Sequence, residues 1–145
     1  MTFAVRRVAA ADVYPLRQKV LRPQLTVADV VWTGDNDPSA AHFAAFNEGQ
    51  IVGVASITID PRPGDPPATW RLRGMATDPA WQGKGVGTQV LAAGIAHIKK
   101  QGGVRLWCNG RTKVFGFYRN FGFRTEGEEF ITISGPHYVM VTDFT

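Results

Sequence analysis

Residues 78–91 read DPAWQGKGVGTQVL. Three glycines stand at alternate positions, Gly83, Gly85 and Gly87, and a helical pattern follows them: Val90, Leu91, Gly94, Ile95 and Ile98 make one apolar stripe. Lys99 and Lys100 suit the last turn, and Gly102-Gly103 ends the helix. Upstream, Trp70–Thr77 reads as a strand. The succession strand, glycine loop, helix puts bare backbone at a helix N-terminus. Without Cβ, backbone amides can approach a bulky ligand, and the helix's free N–H groups and positive dipole end favour a phosphate. Two nucleotide motifs are excluded by spacing: GxxxxGK[ST] is absent, and GxGxxG would need glycine where Thr88 stands. A tight turn that needs glycine for steric reasons alone is the other reading of the same residues.

Outward from this loop, Phe3–Ala9 reads as a strand, and Ala11–Leu21 as a helix with Val13, Leu16, Val20 and Leu21 on one side, stopped by Pro23. GDNDP at 34–38 is loop. His42–Phe46 and Ile51–Ile59 are alternating runs joined by Asn47-Glu48-Gly49-Gln50, a hairpin signature. A proline-rich loop, PRPGDPP, follows at 61–67. Val104–Cys108 is a strand, Thr112 caps a short helix through Phe121 that Gly122 stops, and Glu128–Ser134 and His137–Asp143 are strands. The order implies an α/β (α+β) fold in one domain over residues 1–145, with a mixed sheet and helices on both faces.

Of the 145 residues, 44% are hydrophobic and 19% charged, an ordinary globular mixture. No apolar run approaches the ~20 residues of a membrane span and the start lacks a signal-peptide core, so a cytoplasmic location without membrane partners is expected. The lone Cys108 cannot form an internal disulfide and has no partners at zinc-site spacing, so no metal is expected. The net charge of +4 is distributed in blocks: +4 over residues 1–25, −5 over 26–65, +9 over 66–124 and −4 over 125–145. A basic middle between acidic segments suits an anionic ligand at one place and a cation at another; charges scattered over a solvated surface are the plainer alternative. The acidic segments argue against a nucleic-acid-binding module, so no nucleic acid is expected as a partner.

The motif at Gln82-Gly83-Lys84-Gly85-Val86-Gly87 resembles the Q/R-x-x-G-x-G/A loop of the GNAT acetyltransferases, preceded by Met75-Ala76-Thr77-Asp78-Pro79 as in that family. Asn109 ends the next strand, and Phe117-Tyr118-Arg119-Asn120-Phe121-Gly122-Phe123 is similar to the second signature, FYxxxGF. The resemblance covers residues 3–143 and is strongest over 70–124. It implies a GNAT fold, a mostly antiparallel mixed sheet splayed between two central parallel strands, 70–77 and 104–109. It also implies acetyl-coenzyme A as co-substrate, with Gln82, Gly83, Lys84, Gly85, Val86, Gly87 and Thr88 at the pyrophosphate. Met75, Ala76 and Thr77 would lie along the pantetheine arm, and Asn109 and Tyr118 nearby. Lys84, Arg111 and Lys113 would meet phosphates at the rim.

For the reaction, the resemblance places Tyr118 beside the departing sulfur. A tyrosine pKa of ~10 lies above a thiol's ~8.5, so full proton donation is uphill by roughly 2 kcal/mol unless the site lowers it. Hydrogen-bond stabilisation of the thiolate is therefore favoured, while backbone N–H groups near Gly74–Ala76 can hold the oxyanion. Many members carry a glutamate on the strand before the loop; here that strand reads Trp70-Arg71-Leu72-Arg73-Gly74-Met75, with no carboxylate. The candidate bases are Glu126, Glu128, Glu129 and His137. Resemblance to an uncharacterised GNAT branch favours Glu129 and His137, and matches Arg17, Arg22 and His42 on the acceptor side. The expected function is transfer of an acetyl group from acetyl-coenzyme A to the primary amine of a small molecule, amino-acid-like or polyamine-like, by direct attack. A non-catalytic acyl-coenzyme A sensor of the same fold is the rival. The family often pairs, so a homodimer is expected.

Overall fold

The expected hairpin forms around Glu48-Gly49: β2 (Ala41–Asn47) and β3 (Gln50–Ile59) pair antiparallel with Ala44 opposite Val54. The computed structural model describes residues 3–144. β1 (Ala4–Val8) pairs antiparallel with β2, and β4 (Thr69–Thr77), β5 (Arg105–Arg111), β6 (Arg124–Thr132) and β7 (Gly135–Asp143) complete a seven-stranded mixed sheet in the order β1-β2-β3-β4-β5-β7-β6. Among the described residues three α-helices accompany it: α1 (Ala10–Leu21), α2 (Val86–Lys100) and α3 (Phe115–Arg119). Two compact units form along the chain, one of residues up to Thr58 with Arg73–His97, the other of Ile59–Leu72 with Ile98 onward.

In the first unit, side-chain alternation along a strand decides which helix covers which face. Ala44 and Val54 pack with Val13 and Leu16 of α1 and with Ala76 of β4. The neighbouring positions point the other way: a Cβ on Gly53 would collide with Val86 of α2, and Gly94 of α2 lies against Ile57. α1 and α2 therefore cover opposite faces of the β2–β3 hairpin. Between α1 and β2 the chain makes a 3-10 turn, Val27–Val30, in which the Asp29 carboxylate accepts from the Thr26 N–H at 2.9 Å.

In the second unit, β7 pairs antiparallel with β5 along its whole length, Arg105 opposite Asp143 through Arg111 opposite His137, and with β6 on its other side. β4 and β5 run parallel, paired at Thr69–Arg71 with Arg105–Trp107. The buried side chains here include Leu106, Cys108, Tyr118, Phe123 and Met140.

Three boundaries differ from the sequence expectation. β5 continues through Arg111, so Asn109 lies inside the strand, opposite Val139, and does not end it. β6 begins at Arg124, because backbone pairing with Val139–Val141 does not need apolar side chains on an edge strand. The helix expected from Thr112 is a 3-10 turn, Thr112–Val114, followed by the five-residue α3. Thr112 does not cap it: its hydroxyl donates to Glu129 at 2.8 Å.

Candidate active site

The quoted loop is built by its glycines. Gly83 has φ +76° and Gly85 φ +85°, a region that side chains strain to enter. Neither has a protein atom within 4 Å of where a Cβ would sit. Backbone conformation, not crowding, demands glycine, and the space beside the loop is open. The first helical hydrogen bond of α2 runs from Gln89 N–H to Gly85 O at 3.2 Å. The N–H groups of Val86, Gly87 and Thr88 precede it and so have no acceptor within the helix. No acidic residue stands in that first turn. Together these features make a cradle for an anion: donors, a dipole, open room and no competing carboxylate. Gln82, Gly83, Lys84, Gly85 and Thr88 are exposed, and Gln82 Nε2 donates to Thr77 O at 3.3 Å, tying the loop to the end of β4.

On β4, Gly74 has φ +64°, a kink between half-buried Arg73 and Met75. Against it lies Arg17, whose side chain is 0% exposed. Its Nη1 donates to Val30 O at 2.7 Å and Asp35 Oδ2 at 2.8 Å, and its Nη2 to Asp35 Oδ1 at 3.1 Å and Ser56 Oγ at 2.9 Å. The Trp32 ring covers the guanidinium at 4.0 Å. His42 completes the cluster. Its Nε2 lies 2.9 Å from Asp35 O, which can only accept, so Nε2 carries the proton; Nδ1 then accepts from Ser56 Oγ at 2.6 Å. Burial alone would push the Asp35 carboxyl up, yet hydrogen bonds from Arg17 and the Trp32 N–H outweigh it and hold Asp35 below the usual carboxylate range. Arg17 and His42, two residues assigned to the acceptor side, are thus brought together, but as buried members of one knot. Arg22 is half-buried and donates to Leu21 O at 2.7 Å.

In the second unit, Tyr118 is 8% exposed, packed edge-on against Phe117 and Phe123. Burial pushes its hydroxyl well above the ordinary tyrosine value, so it stays protonated and keeps an O–H to donate. Cys108 is buried, and burial pushes its thiol up to about 12, which leaves it protonated and poorly nucleophilic at neutral pH. Among the candidate bases, Glu126 accepts from Arg62 at 3.2 Å and from Arg124 at 2.9 Å, so its charge is already engaged. Glu129 is exposed and holds Thr112. His137 is buried and stacks on Phe130. Its Nδ1 lies 2.8 Å from Gly135 O, so Nδ1 bears the proton and Nε2 keeps the basic lone pair.

The sequence profile of the acetyltransferase (GNAT) family matches residues 10–123. The chain belongs to the GNAT acetyltransferase family. As a GNAT enzyme it is an N-acetyltransferase, and the family uses acyl-coenzyme A. An uncharacterised N-acetyltransferase, YitI, of Bacillus subtilis is 29% identical over 138 residues, covering 94% of this chain and 93% of that one. Escherichia coli ElaA superposes with a TM-score of 0.81 at 16% identity, over 98% of this chain and all of its own. PaiA N-acetyltransferase of Thermoplasma acidophilum, solved in complex with coenzyme A, superposes with a TM-score of 0.71 at 14% identity, over 99% of this chain and all of its own. These last two likenesses speak to the GNAT fold. Among the described residues no helix is long and apolar enough to cross a membrane, and no group of three or more His, Cys, Asp or Glu could hold a metal ion.

Sequence reasoning missed three residues of the buried knot around Arg17 in the first unit: Asp35, Ser56 and Trp32. Asp35 lies in GDNDP, where an aspartate reads as turn chemistry, and its partner Arg17 is 18 residues away. No local pattern joins them.

Proposed function

We propose that this GNAT enzyme transfers an acetyl group from acetyl-coenzyme A to the primary amine of a small molecule by direct attack. The observation that carries the reading is the loop: Gly83 and Gly85 at positive φ beside open space, leading into the donor-rich start of α2. Those amides would hold the pyrophosphate, with Lys84 at the rim and the backbone of Met75–Thr77 along the pantetheine arm. Bound there, acetyl-coenzyme A supplies an activated acyl group. The chain's own residues then have three tasks. Backbone N–H groups at Gly74–Ala76 face the developing negative oxygen. The Tyr118 hydroxyl, kept protonated by burial, donates a hydrogen bond to the departing sulfur without giving up its proton. His137 Nε2, or Glu129 through water, takes one proton from the acceptor ammonium, and the second, released from nitrogen as the C–N bond forms and the C–S bond breaks, passes to the departing thiolate or to solvent. A covalent route through Cys108 is disfavoured by its raised thiol pKa. The acceptor is a small amine of the amino-acid or polyamine kind: in the acidic segment 125–145, exposed Glu128 and Glu129 stand apart from the arginine pairs of Glu126 and Asp143 and would attract a cation.

Calorimetry with coenzyme A, then thiol release from acetyl-coenzyme A with a panel of primary amines, tests this reading. Binding should vanish in Gly85→Val, whose β-branched side chain cannot adopt φ +85° without strain. Tyr118→Phe should keep the affinity and lose about 100-fold in turnover, the usual effect of removing one donor to a developing charge. Wild-type protein without affinity for coenzyme A, or a Gly85→Val variant that still binds it, would overturn the reading. Binding without turnover of any amine would favour the acyl-coenzyme A sensor.

A further inference from the structure

The buried Arg17 has one feature that stability alone does not explain. Four of its donor contacts are satisfied, but its Nε finds no acceptor among the described residues although the side chain is 0% exposed. That atom is aimed at Gly74: a Cβ there would sit 2.6 Å from Nε and 3.2 Å from Cζ and Nη2. An N–H without a partner is costly in a buried place, so the guanidinium edge lies where its other contacts force it. Those contacts come from two separate segments: Val30 O, Asp35 and the Trp32 ring on the chain between α1 and β2, and Ser56 on β3. The Trp32 ring also meets the guanidinium of Arg73, the residue before Gly74, at 4.4 Å.

We infer that the Arg17–Asp35 pair is a positioning device for the reaction: it sets the β4 kink at Gly74, and through it the direction of the Gly74–Ala76 amides. The inference rests on the proposed role of those amides. The geometry is over-determined from both sides. Gly74 is excluded from carrying a side chain by its φ of +64° and by Arg17. Arg17 is kept from moving by two bonds to Asp35 and one each to Val30 and Ser56. A rigid backbone kink pressed by a rigid guanidinium is a means of aiming main-chain donors, for which no side chain would otherwise be available.

The test separates positioning from stability. Arg17→Met combined with Asp35→Asn removes both charges, so no buried charge is left alone, and folding is checked by a cooperative melt. At a temperature where this variant is folded, kcat with the best amine of the panel should fall about 10- to 100-fold, the scale expected for ångström-level misplacement. Coenzyme A affinity should fall much less than kcat, because the pyrophosphate loop at 82–88 is untouched even where the Met75–Thr77 backbone along the pantetheine arm shifts, and amide exchange at 74–76 should quicken about 10-fold. Gly74→Ala should give a similar loss in kcat, and adding it to the double variant should cost little more, as coupled sites do. If the double variant does not melt cooperatively, Arg17→Lys serves: it keeps a charge beside Asp35, loses the Nε edge, and should show the same split between kcat and affinity. A folded variant with wild-type kcat and unchanged exchange would overturn the inference, as would strictly additive losses in the Gly74 cycle. Wild-type protein that binds no coenzyme A fails the functional reading instead, and the exchange measurement still reports whether Arg17 holds the kink.

Discussion

Arginine meets carboxylate in two very different ways in the two units. In the first, Arg17 and Asp35 make one fully buried pair with side chains 0% and 6% exposed. In the second, six charges close a ring near the surface: Arg62 binds Asp65 and Glu126, Arg105 binds Asp65 and Asp143, and Arg124 binds Glu126 and Asp143. The ring ties the proline-rich loop 61–67 to β5, β6 and β7. Every charge in it has two partners, and Glu126, Asp143 and Arg124 are well exposed to water, so losing one member leaves the others hydrated or still paired. The buried pair has no such reserve. Coulombic attraction is stronger at low dielectric, but so is the penalty for a charge left alone. The lesson is that the shared chemistry predicts little until burial and redundancy are known.

Breaking the buried pair should have the largest effect. Asp35→Ala leaves Arg17 charged and buried, and urea unfolding should show a loss of about 3–5 kcal/mol. Replacing both partners by apolar residues, Arg17→Met with Asp35→Leu, should recover most of that, to within about 2 kcal/mol of the wild type; a double variant as unstable as Asp35→Ala would mean that the neighbours, not the lone charge, carry the cost.

Within the ring, Asp65 is the most engaged member. Its side chain is 4% exposed, and hydrogen bonds from Arg62 above all, with help from Arg105, hold its carboxyl down to about 2. Asp65→Asn should cost about 1–2 kcal/mol, less than Asp35→Ala. The sign with pH follows. A folded-state pKa of about 2 lies below the ~3.9 of an unfolded aspartate, so the stabilisation is fully present above pH ~4 and drains away as pH falls toward 2. Acid titration of stability should show this slope in the wild type and a flatter one in Asp65→Asn. The smallest effect belongs to Arg124, whose side chain is 47% exposed. Arg124→Ala should change stability by under about 1 kcal/mol, and about 0.5 M salt should erase most of the difference.

Legibility follows the same divide between local and distant causes. The glycine loop, the hairpin at Glu48-Gly49, the helix stripes and the order of strands were readable because each is set by residues within a few positions of one another: φ preferences, alternation and 3.6-residue periodicity. The FYxxxGF stretch marked Tyr118 only through its resemblance to the family's second signature. The end of β5, the start of β6 and the failure of Thr112 to cap α3 were not readable, since backbone pairing and a hydroxyl bond to Glu129 decided them. His137 could be named as a candidate base, but only the bond of its Nδ1 to Gly135 O identifies Nε2 as the basic atom.

Chain order alone therefore determined the sheet-and-helix architecture, the bare backbone at 83–87 and the family. Tertiary structure alone decided where the charged residues stand: that Arg17 is buried against Gly74, that Asp35 is its counter-ion, and that Glu126 is engaged by two arginines. Backbone preferences act over a turn or two of chain and leave a pattern in sequence. The role of a charge depends on burial and on partners dozens of residues away, and it takes shape only when the chain has folded.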